Sequence, residues 1–153
     1  MRLSLSAFIV VMAFLSCNTK ATPDSRLSGE QLTGSWKLVS AKTITKKDTV
    51  QTYPVTGQEM IKLFNGSHFS FFRHNVKGSS DTAAIFVSGA GTYTLSGNTY
   101  QEHLQYCNLR EWENHDFSFT LDLRADTLTQ RGIEKIDSLG IDQEIIEVYA
   151  RLR

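Results

Sequence analysis

The chain has 153 residues, 41% hydrophobic and 21% charged, with sixteen basic against sixteen acidic side chains. That size and composition fit one globular domain with a sizeable core. The zero formal net charge and a pI near 6.9 leave no basic stripe, which argues against nucleic acid as a partner.

Residues 1–16 read as a processing segment. Arg2 supplies a positive start, and Leu3 to Leu15 is an apolar run too short for a bilayer, which takes about 20 residues. The run closes on Leu15-Ser16-Cys17, which resembles the lipobox of bacterial lipoproteins. The resemblance implies a signal peptide over 1–16, lipidation of Cys17, and a membrane-anchored place in the cell envelope, on the periplasmic or outer-membrane side. The alternative is ordinary secretion with a cut after Thr19-Lys20-Ala21. Residues 17–31 then form a lipidated tether, polar and containing Pro23, with one short helical turn suited to Leu27–Leu32. The folded domain is expected over 32–153. With Cys17 taken by lipid, Cys107 is the one remaining cysteine, so no disulfide is possible within the chain.

The first strand is expected over Leu32 to Ala41, entered at Gly34, with Trp36 and Leu38 on one face. Lys42 to Gly57 is polar and has room for a short strand pair around Val50 to Val55. Glu59 to Phe64 alternates as a strand, Asn65-Gly66 is a hairpin turn, and His68 to His74 returns with Phe69, Phe71 and Arg73 on one side. After a loop, Thr82 to Leu95 is long for one strand, and Gly89-Ala90-Gly91 in its middle predicts a bend or bulge. No helical pattern follows those glycines, which excludes a phosphate-cradling loop. Ser96-Gly97-Asn98 is a tight turn. In the next strand Tyr100, Glu102, Leu104 and Tyr106 share the face expected to point inward, and Gln101, His103 and Gln105 share the other with Cys107. Further strands are expected over His115 to Leu123, Thr127 to Gly132 and Asp142 to Leu152, with Ile133 to Gly140 a loop. On the last strand hydrophobicity turns Ile146, Val148, Ala150 and Leu152 inward and leaves Glu147, Tyr149 and Arg151 on the other face.

Roughly eight strands in sequential hairpins, without crossover helices, predict an all-β fold: an antiparallel up-and-down barrel. An immunoglobulin-like sandwich is disfavoured because no Cys–Trp–Cys spacing exists. Eight strands enclose either their own side chains or one small ligand.

Gly34-Ser35-Trp36 resembles the Gly-x-Trp signature of the lipocalin superfamily. Together with Met60 to Phe64, Gly89 to Leu95, Asn98 to Glu102, Asp126-Thr127-Leu128 and Glu147 to Arg151, it is similar to the lipocalin-like domains of bacterial envelope lipoproteins. The resemblance implies that Trp36 plugs the barrel base and that a basic residue near the last strand, Arg151 or Arg153, packs over it.

The candidate ligand site is the expected interior: Phe69, Phe71, Tyr93, Tyr100, Glu102, Tyr106 and Phe119. It is aromatic with one acid, which suits a ligand with an apolar body and one polar end. A buried carboxylate must be paired, neutralised or wet. Arg73, Arg131 and Arg151 are the expected partners of Glu102. His68, His74, His103 and His115 have no metal-site spacing, so no metal or cofactor is expected, and with no nucleophile–base–acid constellation visible an enzyme, a haem-dependent or isomerase-type barrel using His115, is the least favoured reading. Two readings stand ahead of the enzyme. One is a membrane-tethered barrel that binds a small apolar or amphipathic molecule. The other is an envelope structural or protein-interaction module whose barrel is filled by its own side chains.

Overall fold

The computed structural model describes residues 26–77 and 84–153. The expected signal peptide, Cys17 and the tether up to residue 25 lie outside the described residues. Within them a one-turn helix, α1 (Gly29–Leu32), precedes nine strands. These are β1 (Gly34–Ile44), β2 (Thr49–Tyr53), β3 (Gln58–Phe64), β4 (His68–Asn75), β5 (Phe86–Ser96), β6 (Thr99–Cys107), β7 (His115–Arg124), β8 (Thr127–Ile136) and β9 (Ile141–Arg151).

Every pairing is antiparallel, and β3 to β9 run as consecutive neighbours. β1 pairs with β3 on one edge and with β9 on the other, which closes an eight-stranded barrel. β2 is an extra strand, hydrogen-bonded to the far half of β1. The expected lipocalin-like up-and-down barrel is therefore the fold. β8 extends to Ile136, where a loop was expected from Ile133, because Glu134 and Lys135 continue the ladder opposite Gln143 and Asp142.

Two bulges set the phase of the interior. β1 shifts register between Leu38 and Ser40 against β9. β5 shifts between Ala90 and Gly91, so that Ala90 opposes Tyr106 and Gly91 opposes Leu104, leaving Gln105 extra. Gly91 permits this approach, since a Cβ there would lie 1.8 Å from the His103 carbonyl oxygen.

One end of the barrel is plugged. Ser28 caps α1 with a capping box, accepting from the Gln31 backbone while Gln31 accepts from the Ser28 backbone N–H. This fixes Leu27 and Leu32, both buried, across the barrel base beside Trp36, Leu121 and Leu128. The Trp36 indole donates to the Leu32 carbonyl at 2.9 Å. Arg151 lies opposite Trp36 in the ladder, with its guanidinium 4.1 Å from the ring centroid. It also donates to the carbonyls of Thr33 and Gln31, tying the last strand to the entry of the first.

Above the base sits an aromatic layer centred on Tyr100. Its ring lies 5.6 Å from Phe64, 6.4 Å from Phe69, 5.3 Å from Tyr93 and 6.2 Å from Phe119, mostly in tilted or edge-on geometry. Such contacts add to area burial and hold this half of the barrel rigid.

Candidate functional site

The opposite half is hollow. A cavity of about 310 Å³ opens there, lined on one side by Met60, Phe71, Val87, Leu104 and Ile145. Leu109 and Trp112, from the connection after β6, lie along its rim, and the base is polar.

That polar base begins at Lys62, which is 3% exposed. The ladder pairs Lys62 with Phe71, between Phe64–Phe69 and Met60–Arg73, so the inward phase of β4 carries Lys62 inward on β3. Its ammonium rests above the aromatic layer, 5.1 Å from the ring centroids of Phe69 and Tyr100 and 5.5 Å from that of Phe64. It donates to Glu102 Oε2 at 2.9 Å and to Gln130 Oε1 at 3.0 Å. The Tyr100 hydroxyl donates to the same Glu102 oxygen at 2.7 Å. Burial, and next the charge of Glu102, push the Tyr100 phenol well above its ordinary range, so it stays a donor. Opposite charge, with two hydrogen bonds to Glu102 Oε2, thus offsets the burial of both ions, the condition under which a buried pair is tolerated.

The network continues across the barrel. Gln130 donates to Glu147 Oε2 at 3.3 Å, and the Tyr149 hydroxyl donates to that oxygen at 2.7 Å. Glu134 accepts from Gln143 at 2.9 Å. Burial raises the Glu134 carboxyl to about 7 and raises Glu147 as well, in each case against the pull of Lys62. Arg73 lies at the cavity wall and donates to Gln58 Oε1 at 2.8 Å.

The interior differs from the expectation in three respects and resolves a fourth point that the sequence left open. Tyr106 points outward and is 68% exposed, because the extra residue Gln105 flips the alternation; Cys107 consequently turns inward and is buried. Burial raises the Cys107 thiol, which leaves it a poor nucleophile. Phe69, Tyr93, Tyr100 and Phe119 belong to the packed layer, and only Phe71 and Glu102 of the expected set line the cavity. The partner of Glu102 is Lys62 and none of the three arginines: Arg131 pairs with Glu144 outside, Arg151 sits on Trp36, and Arg73 bonds Gln58. Finally, β9 turns Ile145, Glu147, Tyr149 and Arg151 inward, the phase that the lipocalin resemblance favours over hydrophobicity.

Lys62 and Glu147 escaped sequence reasoning because each is polar and alternates with apolar residues that face outward, and Gln130 and Glu134 because both faces of β8 mix polar and apolar residues. Among the described residues no group of three histidine, cysteine or acidic side chains is placed to hold a metal. His103 hydrogen-bonds Asp116 on the outer surface, and His115 stacks on Phe117 at 6.4 Å.

Fold and site together define a class: a lipocalin-like barrel, plugged at one end and hollow at the other. No protein-family model matches the chain, and no curated protein matches it significantly.

Proposed function

We propose that this domain is a membrane-tethered binding protein of the cell envelope that takes a small amphipathic molecule into the hollow half of its barrel. The observation that carries the reading is the cavity itself, with an apolar wall and a few fixed polar groups at its base, the usual composition of a small-molecule site. The base is held from below by the aromatic layer, so a ligand would meet groups already in place and lose little free energy in ordering them.

The binding part is tested by titrating the neutral dye N-phenyl-1-naphthylamine. Stoichiometric uptake by the native protein is expected. Met60→Trp, which fills the cavity wall, should abolish uptake, and Tyr106→Trp, on the outer surface, should leave it unchanged. No uptake by the native protein, or equal uptake by Met60→Trp, would leave the filled envelope module instead. The tether rests on the resemblance of Leu15-Ser16-Cys17 to a lipobox. Dual or multiple acyl chains anchor stably, so the native protein should fractionate with membranes and Cys17→Ser should not. A soluble native protein beginning at Thr22 would overturn the tether without touching the binding site.

A further inference from the structure

Two cations, Lys62 and Arg73, line the cavity against three carboxylates, Glu102, Glu134 and Glu147. The cations are already engaged. Lys62 binds Glu102 and Gln130, and Arg73 binds Gln58. Glu134 and Glu147 receive hydrogen bonds only from Gln143, Gln130 and Tyr149, all neutral donors and all at Oε2. Among the described residues neither forms an ion pair, and the Oε1 atoms of Glu134 and Glu147 have no hydrogen-bond partner. The same is true of Oε1 on Glu102, whose side chain is only 9% exposed. Among the described residues no buried side-chain oxygen lacks a partner, and Glu134 and Glu147 are half-buried, so these Oε1 atoms are open to the cavity, where an incoming donor can meet them.

Resting on the binding reading above, we propose that the ligand is an amphipathic amine whose protonated head meets the unpartnered oxygens of Glu134 and Glu147 while its apolar body lies along Met60, Phe71, Leu104 and Ile145. One ammonium supplies both missing parts: a single positive charge to offset the excess carboxylate, and N–H donors for more than one Oε1 atom. An anionic head group would face three carboxylates across the same space, and a neutral one would leave their charge uncompensated. The protonation of Glu134 agrees with this arrangement. Its carboxyl titrates high because burial outweighs the pull of Lys62, and a bound ammonium would bring it back toward the carboxylate range.

The test is calorimetric titration of the full folded domain with three probes of equal chain length: octylamine, octanol and octanoate. At mildly alkaline pH octylamine should bind at least about tenfold more tightly than octanol, the worth of one hydrogen bond between charged groups, and octanoate should bind most weakly. Glu134→Gln with Glu147→Gln should bring octylamine and octanol to within about twofold while octanol binding is kept. If that double variant does not fold, Glu134→Gln alone should reduce the preference, and the selectivity of the native protein decides by itself. Equal binding of octylamine and octanol, or preference for octanoate, would overturn the amine assignment and leave the cavity reading standing. Failure of all three probes together with the neutral dye would overturn the cavity reading and the amine assignment with it.

Discussion

Lys62 and Glu102 are the residues on which the interior turns. Removing one charge leaves the other buried and unpaired, so Lys62→Met is expected to destabilise the fold by roughly 3–5 kcal/mol. Replacing both, as Lys62→Met with Glu102→Leu, removes the desolvation of two ions and should recover most of that loss in chemical denaturation. A double variant no more stable than the single one would show that the pair acts through something other than charge compensation. Trp36→Ala empties the base and is expected to cost about 3–5 kcal/mol, whereas Arg151→Met, which removes the cation above the ring and two carbonyl contacts, should cost roughly 1–2 kcal/mol. Glu134 gives a pH dependence. Its carboxyl is raised from 4.5 in the unfolded chain to about 7 in the fold, so between those values the native state binds the extra proton. Stability from this group is therefore fully present below pH 4.5 and is lost as pH rises through about 7, by roughly 2–3 kcal/mol. The charged groups acting on it are Glu147, Glu102 and Lys62. Glu134→Gln should flatten stability against pH across that window, measured by denaturant unfolding; an unchanged slope would contradict the assignment.

At the level of strands, the decisive feature is the bulge between β5 and β6. Gly91 lets β5 press against the His103 carbonyl, and the extra Gln105 turns Tyr106 out and Cys107 in. Gly91→Ala is expected to destabilise by about 3 kcal/mol through that backbone clash and to speed the reaction of Cys107 with a thiol reagent. Strand order and hairpins were legible in the sequence, because the turns Asn65-Gly66 and Ser96-Gly97-Asn98 act locally, and the plug at Trp36 was implied by the resemblance of Gly34-Ser35-Trp36 to the lipocalin signature. The glycine cluster announced a bulge, but nothing in one strand shows which partner residue becomes the extra one, and that choice decides where Tyr106 points. The polar base was hidden for a different reason. Period-2 reasoning assumes an apolar interior, and in β3 and β9 the inward face mixes Lys62 and Glu147 with apolar residues while Ile61, Leu63, Ile146 and Val148 lie on the outer face. Counting outward from the Asn65-Gly66 hairpin would have found Lys62. Phe64 opposes Phe69 there, so an inward Phe71 requires an inward Lys62.

The whole molecule divides its labour along the barrel axis. The base and aromatic layer supply rigid packing, and the far half gives up packing for a cavity whose polar groups are held from beneath. Stability is then expected to be unevenly spread, with slow amide exchange around Trp36, Tyr100 and Leu128 and faster exchange near Leu109 and Trp112. A ligand that enters only the folded barrel should raise the unfolding free energy by about 2.7 kcal/mol at a hundredfold excess over its dissociation constant. The account stands most directly on whether the hollow half is occupied in life. Native mass spectrometry of the protein, purified gently from its own cells, measures this. The native protein should carry one small molecule released by mild activation, and Met60→Trp purified alongside should carry none. Two bare proteins, or the same adduct on both, would contradict a binding cavity.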